Sequence, residues 1–515
     1  MCYVLFSYAR LIIDVENEIN VRTMIYLNYF KRSGETLFIY FSVLGAGLSL
    51  GAVSCSDYLD TEPITDKAVE FSEVPFKKAS DAEDLMNTIY NDLGNEYWQL
   101  DYFFNGDAQT DVAYQGGDNP QNAQQSEYRI QSSNTNVSRD WNYIYGRINN
   151  CNLVLNYVDK IPDTSLTTQR RNEMKAEAAV MRALYYFHAV QLWGDIPLVT
   201  KAVIGVTAEN FEEVYAQVYP ARKPVNEVYT LIIADLEGAL ANLPASSNKY
   251  RASKGAALSL LAQVYATKPS PDFNKVVTYT DQLMTEGYSL LPTYDHLFDS
   301  EHEANAESIF EINGNGSSVW WWGTFMFIGT DWKKFNTPSN DLIKSFDAQG
   351  DAIRKASTVK FEPVGWSDKY WSSSSYPFAW KQREQSGNQN VYIFRYADLL
   401  LLRAEAKVRL GDYTGAAALV NQVRARVNLA PITITGATDG INKVLEERKL
   451  ELAFEGQRWF DLKRTGKAVE IIKNRKDASG NPLSYAANIT EQKLLWPIPQ
   501  SQIDNNPNLT QNAGY

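Results

Sequence analysis

Apolar residues recur every three to four positions along most of the chain beyond Thr61, which is the spacing of one face of an α-helix. The clearest run is 173–193, where Ala176, Val180 and Phe187 fall on one stripe. Gly194 and Pro197 follow it and end the periodicity. The pattern predicts helices over residues 80–93, 141–158, 173–193, 225–243, 254–267, 273–286, 396–410, 413–427 and 441–454.

Several of these segments follow one another as pairs with short connections. Segment 254–267 precedes 273–286, and 396–410 precedes 413–427 with only Gly411 and Asp412 between them. Small residues, mainly alanines, occur where paired helices must approach closely. Helix pairs of about 34 residues with this pattern are typical of tetratricopeptide-like units. We therefore predict a mostly α fold, a tetratricopeptide-like helical-repeat scaffold with long inserted loops that form a ligand-binding face.

Two stretches interrupt the helical pattern and are interpreted as those inserted loops. Residues 95–136 are rich in Asn, Gln, Gly, Asp and Tyr, and residues 291–390 are rich in Gly, Ser and aromatics. The second stretch holds more than half of the 12 tryptophans. Loops carried on a rigid scaffold are where binding residues usually occur.

The N-terminal residues have the pattern of an export signal. Lys31 and Arg32 precede an apolar run over 37–53, which ends in small residues directly before Cys55. We predict a lipoprotein signal peptide over 1–54, with Met24 as a plausible true start, and lipidation of Cys55. The mature domain would then span residues 55–515. The alternative is a retained transmembrane anchor, because about 20 apolar residues can span a bilayer.

The charge, cysteine content and aromatic content of the chain argue against some classes of function and favour others. Lys+Arg 49 against Asp+Glu 61 gives a net charge of −12 with no basic run, so we expect no nucleic-acid partner. Once the signal is removed and Cys55 is lipidated, Cys151 is the remaining cysteine, and its apolar helical surroundings predict a buried thiol without a disulfide. Aromatic residues make up 13% of the chain, which favours a surface that stacks on flat ligands.

No recognisable motif supports catalysis, a cofactor or a metal site. His188 falls within a helical stripe and is interpreted as a packed ring. His296 and His302 lie among acidic residues, but their spacing matches no zinc signature, so we predict a solvated acidic turn. The acids and bases of 446–464 interleave at helical spacing and predict a structural ion-pair network. A glycosidase would need two carboxylates that face one another across a cleft, an arrangement that a sequence alone cannot show.

Aromatic and short polar residues together suit a carbohydrate ligand, because sugar C–H faces lie on rings while sugar hydroxyls need polar partners. Both occur in the two insertions. Three consecutive indoles at 320–322 cannot all face inward on a strand, so at least one should be exposed or lie at a partner surface. The alternative is that these rings fill gaps between loops and helices. The candidate ligand-binding residues are Tyr97, Trp98, Tyr114, Asn119, Trp320, Trp321, Trp322, Trp366 and Trp371.

Taken together, a set of local motifs resembles the SusD/RagB family of outer-membrane lipoproteins over nearly the whole mature chain. The C-terminal run Glu447-Arg448-Lys449 with Trp459 and Asp461 is among the most specific. The motifs that carry the resemblance are residues 54–60, 183–187, 193–198, 395–401, 404–406, 421–426, 447–462 and 497–515.

The resemblance implies a non-catalytic, cell-surface glycan-binding lipoprotein of the outer membrane, anchored by lipid on Cys55. It implies capture of an oligosaccharide or polysaccharide and its delivery to a SusC-type TonB-dependent transporter. The motif residues belong to the scaffold, so none is carried over as a ligand contact. Two alternatives stay open: a family member that binds peptides or glycoproteins, and a surface glycoside hydrolase.

Overall fold

Helices are the main elements of this computed structural model, which describes residues 75–203, 205–245, 248–314, 324–384, 387–477 and 479–515. Residues 1–54 and Cys55 lie outside the described residues, so the predicted signal peptide and lipidation stay predictions. The helices are α1 Ala79–Asn91, α2 Tyr102–Asp107, α3 Pro120–Ser126, α4 Thr135–Tyr157, α5 Thr168–Trp193, α6 Phe211–Val218, α7 Val225–Ala239, α8 Lys254–Thr267, α9 Phe273–Met284, α10 Asn340–Gln349, α11 Ala352–Thr358, α12 Tyr396–Arg409, α13 Tyr413–Arg426, α14 Ala437–Leu452, α15 Arg458–Arg464, α16 Ala468–Lys473 and α17 Gln500–Asn505.

Consecutive helices pack on one another and build the scaffold. Helix α4 packs on α5, α5 on α7, α7 on α8, and α8 on α9. The series continues from α9 to α12, which contacts both α13 and α14. Each helix thus buries its apolar stripe against a neighbour in the series, which is the arrangement of a helical-repeat scaffold. The prediction of a mostly α fold is confirmed.

Helix ends follow local capping chemistry. The Ser253 hydroxyl accepts the backbone N–H of Ala256 at the start of α8 (3.3 Å), and the Asp412 carboxylate accepts that of Gly415 at the start of α13 (2.8 Å). Such caps satisfy backbone donors that a helix leaves unpaired at its first turn. They explain why these helices begin where the sequence pattern predicts.

Short antiparallel strand pairs accompany the helices in the described part of the chain. The pairs are β1 with β5, β2 with β3, β4 with β8, and β6 with β7. The strands are β1 Ala113–Tyr114, β2 Ile196–Pro197, β3 Arg222–Lys223, β4 Ser308–Ile312, β5 Thr337–Pro338, β6 Val359–Glu362, β7 Tyr376–Ala379 and β8 Val391–Arg395. Within the stretch 291–390, β6 and β7 form a hairpin whose connecting loop spans 363–375.

The described residues fall in one compact unit, Glu73–Tyr515, and the hydrophobic core clusters lie within it. Cys151 is a free, fully buried thiol, as predicted. His188 is also buried as predicted, and desolvation lowers its pKa to about 3, so the ring is neutral. Within the described part of the chain, no helix combines the length and the apolar character needed to cross a membrane.

Candidate functional site

The first predicted loop, 95–136, is not a loop, because much of it folds into the core. Residues Tyr97–Asp101 form one π-helical turn that runs directly into α2. Tyr97 and Trp98 are 2% and 0% exposed. Tyr97 stacks on Tyr143 at 5.4 Å between ring centroids, and Trp98 packs on the His188 ring at 5.1 Å. The prediction that these two rings present faces to a ligand is wrong, because both faces are already covered by protein.

The polar residues of this stretch point inward as well. The Asn105 amide donates to the Asp140 carboxylate (2.9 Å), and Asp107 accepts the backbone N–H of Gly456 (2.8 Å). A Cβ on Gly106 would lie 2.0 Å from the Gly456 carbonyl oxygen, which shows how closely α2 approaches the C-terminal region. Short polar residues of the insertions are predicted to meet sugar hydroxyls, but Asn105 and Asp107 are hydrogen-bonded within the protein itself.

Asn119 and Tyr114 also have structural roles. The Asn119 side chain accepts the backbone N–H groups of Gln121 and Asn122 and so caps α3. Tyr114 is 4% exposed, and its hydroxyl donates to the Asp368 carboxylate at 2.9 Å. The Tyr114 ring is therefore covered by protein, contrary to the prediction, whereas the half-buried Asn119 uses its amide oxygen as a cap and stays a predicted ligand-binding residue. Tyr114 instead fastens the loop 363–375, on which two other predicted residues lie.

That loop keeps Trp366 and Trp371 half-buried, so each retains accessible surface. The Trp371 indole N–H donates to the Pro338 carbonyl (3.1 Å), and the Trp366 N–H donates to the Thr330 carbonyl (3.2 Å). Both polar edges are therefore satisfied within the protein. Fixed rings with satisfied N–H groups can present apolar faces to a ligand with little loss of side-chain entropy.

Phe361 on β6 adds a ring that the sequence analysis did not select. It is 38% exposed, and its ring centroid lies 5.8 Å from that of Trp371, with an interplanar angle of 71°. The two rings form an open corner, which we call the aromatic corner. The sequence signal that could have found Phe361 is the strand pattern of residues 359–362. Because strand residues two apart share a face, Phe361 lies on the opposite face from Lys360 and Glu362.

Hydroxyl groups lie directly beside the aromatic corner. Residues 372–375 are four consecutive exposed serines that follow Trp371. The Ser372 and Ser374 hydroxyls are hydrogen-bonded at 2.8 Å, so they are held near one another. The Asp368 carboxylate accepts the backbone N–H groups of Tyr370 (2.7 Å) and Trp371 (3.0 Å), which fixes the turn that presents the indole. Apolar faces next to hydroxyl groups are the chemistry that a sugar ring requires.

The hairpin carries further rings on its opposite face. Tyr376 pairs with Glu362 and therefore lies on the other side from Phe361, and Trp366 meets Tyr376 edge to face at 4.5 Å. Lys360 is two residues before Glu362 on β6 and shares its face, and the Lys360 ammonium lies 4.1 Å from the centroid of the Trp380 ring. Trp366 is thus separate from the aromatic corner, although the sequence analysis grouped it with Trp371. Trp320, Trp321 and Trp322 lie outside the described residues.

A second concave feature is a charged cleft of about 420 Å³ between α10, α14 and α16. Asp341 lies 3.5 Å from Arg475 at its wall, and burial raises the pKa of the Asp341 carboxyl. Lys449 pairs with Glu446 at 2.8 Å. No aromatic ring lines this cleft. It therefore suits a polar or charged ligand more than a sugar face. Its lining residues are Asp111, Asp341, Lys344, Ser345, Ala348, Glu446, Lys449, Glu470, Ile471, Asn474 and Arg475.

The acids and bases of 446–464 form the ion-pair network that was predicted, but most partners are distant in sequence. Glu447 pairs with Arg354 (2.7 Å) and Arg424 (2.9 Å), and Glu455 pairs with Lys381 (2.6 Å). All are buried. Helical spacing therefore indicated the network correctly, while its buried pairs connect α14 both to α13 and to the stretch 291–390.

The fold and this surface define a class: α-helical-repeat proteins whose insertions carry an aromatic face. Two family models match the chain, one described as "SusD family" over residues 268–515 and one as "Starch-binding associating with outer membrane" over residues 57–266. The chain belongs to the SusD/RagB family.

Similar proteins agree with this assignment. The SusD-like protein P38 of Formosa agariphila is 27% identical, and the match covers 91% of this chain and 97% of that protein. The starch-binding protein SusD of Bacteroides thetaiotaomicron is 24% identical, over 71% of this chain and 76% of that protein. Among solved structures, a laminarin-binding SusD-like protein has a TM-score of 0.69 at 24% identity, covering 85% of this chain and 100% of the other, which shows a shared fold.

Proposed function

We propose that this protein is a cell-surface glycan-binding lipoprotein that captures an oligosaccharide or polysaccharide without cleaving it. The observation that carries the proposal is the aromatic corner of Phe361 and Trp371 beside the exposed serines 372–375. Two rings at 71° let a sugar lie on one ring while its edge meets the other. Membership of a family that includes starch-binding and laminarin-binding proteins supports the same class of ligand.

The same proposal includes a membrane anchor and a transporter partner. Lipid on Cys55 would hold the protein on the outer membrane, which agrees with the description of the family model over residues 57–266. A SusC-type TonB-dependent transporter would receive the captured glycan. The anchor, the outward-facing orientation and the transporter belong to the same proposal.

Binding is tested with a soluble chain of residues 56–515, which retains the compact unit Glu73–Tyr515 and its core clusters. It is screened against a polysaccharide panel that includes starch and laminarin, and the same samples are assayed for new reducing ends. We expect saturable binding of one glycan class and unchanged chain length. Shortened chains would instead identify a hydrolase and reject the binding-only proposal.

The site is tested with Phe361→Ala and Trp371→Ala. A stacked ring contributes about 1 kcal/mol beyond area burial, so each variant should weaken glycan binding about fivefold or more. Tyr215→Ala on α6 is a matched control, because Tyr215 is 37% exposed against 38% for Phe361 and lies outside the stretch 291–390. Equal losses in the control and in both corner variants would reject the aromatic corner as the site.

A second candidate function is peptide or glycoprotein binding, and the charged cleft favours it. Its walls supply carboxylates and the cations Lys344, Lys449 and Arg475, which could pair with charged side chains of an extended peptide. Labelled acidic and basic peptides are titrated against the soluble chain and against Lys344→Glu, whose exposed side chain lines the cleft. Peptide binding that Lys344→Glu abolishes, with no glycan bound, would favour this candidate.

A further inference from the structure

Two imidazoles and one carboxylate come together in the segment that starts with the short helical turn Tyr294–Leu297. One ligand atom each from His296, Asp299 and His302 can be chosen so that all three lie within 4.8 Å of one another. The two imidazole rings are stacked, with centroids 3.7 Å apart and an interplanar angle of 7°. All three residues are half-buried, so the cluster remains accessible from solvent.

Local hydrogen bonds hold this cluster in place. The Asp299 carboxylate accepts the backbone N–H groups of Glu301 (3.1 Å) and His302 (2.9 Å). Both Asp299 oxygens lie within hydrogen-bond distance of the His302 Nδ1, at 2.9 and 3.0 Å. The Asn305 amide donates to the His302 carbonyl at 2.8 Å. Asp299 and His302 are therefore positioned by the fold of the segment, before any ligand is present.

Two imidazole nitrogens and one carboxylate oxygen form a donor set that suits zinc and related transition metals. Ligand atoms at about 2.1 Å from a tetrahedral ion lie about 3.4 Å apart. A bound ion also lies in the plane of each imidazole that coordinates it, so the two stacked rings must turn out of their stack, and ligand atoms at the 4.8 Å limit must approach by about 1.4 Å. Rotation of half-buried side chains can supply that movement. We propose that His296, Asp299 and His302 bind one divalent transition-metal ion, with water completing the coordination.

The location of the cluster suggests what a bound ion would do. Asp295 pairs with Arg383 at 2.8 Å, and the Glu303 carboxylate accepts the backbone N–H of Asn390 at 2.6 Å. The residues that flank the cluster thus connect the beginning of the stretch 291–390 to its end. A metal ion at the cluster would restrain the base of the insertion that carries the aromatic corner. The carboxylates of Asp295, Glu301 and Glu303 add negative charge nearby, which favours a cation, while Arg383 opposes it.

The inference is tested by calorimetric titration of the untagged soluble chain with ZnCl₂, with MgCl₂ and CaCl₂ as hard-cation comparisons. We expect one saturable zinc site. His296→Ala and His302→Ala should weaken zinc binding at least about tenfold, because loss of an outer-shell partner alone costs 10–100-fold. Glu301→Gln is the matched control, since its exposed side chain lies in the same segment outside the donor set, and it should bind zinc as the parent does.

Two further measurements keep the test independent of glycan binding. Cobalt substitution should give the visible absorption of a four-coordinate site in the parent and in Glu301→Gln, and lose it in the histidine variants, whose folding is checked by circular dichroism. Zinc should also slow hydrogen exchange in segments 294–305 and 387–392. No saturable zinc binding, unchanged affinity in both histidine variants, or binding of calcium in preference to zinc would each overturn the inference.

Discussion

Removing the negative charge of Glu451 should lower the free energy of unfolding more than most single substitutions in this protein, because Glu451 is the central acid of a buried ionic network. Its carboxylate pairs with Arg395 (2.7 Å), Arg354 (3.1 Å) and Arg426. Its backbone carbonyl also accepts the ammonium of Lys381 at 2.9 Å. Arg354 and Lys381 belong to the stretch 291–390, whereas Glu451 lies on α14 of the scaffold. The network therefore attaches the insertion to the helices.

The perturbation is Glu451→Gln, which keeps the side-chain shape and removes one negative charge. Glu451 and Arg354 are fully buried, so water cannot replace the lost charge. Removing one partner of a buried ion pair costs about 3–5 kcal/mol. Glu446→Gln on the same helix is the control, because Glu446 pairs with Lys449 while its side chain is 35% exposed. That pair should contribute about 0–1 kcal/mol.

The assay is urea unfolding of the soluble chain and both variants at pH 7 and at lower pH. Burial alone would raise the pKa of Glu451, but the guanidinium groups of Arg426, Arg395 and Arg354 outweigh it and hold that pKa well below its usual range. A depressed folded-state pKa stabilises the fold above the unfolded-state pKa of about 4.5, and this contribution is lost as the pH falls below it. The difference in unfolding free energy between parent and Glu451→Gln should therefore be full at pH 7 and shrink below about pH 4.5. A cost no larger than that of Glu446→Gln, or a difference that stays constant in acid, would refute this reasoning.

Two other predictions concern Asp107 and Tyr114. Burial raises the pKa of Asp107 to about 8 in the folded protein, so its contribution to stability is complete below its unfolded pKa of about 4 and is lost as the pH rises towards 8. Asp107→Asn can still accept the Gly456 N–H, and it should remove this loss of unfolding free energy, which amounts to at most about 1.4 kcal/mol per pH unit. The measurement is the urea midpoint of unfolding of parent and variant between pH 5 and 8. Midpoints that change with pH in the same way in both proteins would contradict the prediction. Tyr114→Phe removes the hydrogen bond to Asp368 and should lower the free energy of unfolding by about 1 kcal/mol. It should also speed hydrogen exchange in the loop 363–375. Unchanged exchange in that loop would show that Tyr114 does not hold it in place.

The helical scaffold could be predicted from the sequence because its determinants are local. Helix α8 was predicted at its observed bounds, and α12 and α13 each end one residue earlier than predicted. In these segments the apolar period, the caps and the flanking turn residues all indicate the same structure. Local agreement of this kind needs no information about which segments meet in space.

The stretch 95–136 was misinterpreted because polarity was equated with exposure. Asp107 and Asp111 look like residues of a solvated loop, yet their partners are Gly456 and Arg458, more than 300 positions further along the chain. A buried polar side chain requires a hydrogen-bond partner, and it does not matter how far along the sequence that partner lies. No local pattern around residue 107 contains that partner. Long-range pairing was the missing information, and it reversed the interpretation of Tyr97 and Trp98 as well.

The aromatic corner depends on one further quantity that composition cannot supply, the register of the β6–β7 hairpin. Phe361 pairs with Pro377, and Lys360 pairs with Phe378. A slip of one residue would exchange the faces of Lys360 and Phe361 and place an ammonium group beside Trp371. Counting tryptophans could therefore select Trp371 but could not find its neighbour. The pairing of β6 with β7 therefore decides which side chain lies beside Trp371.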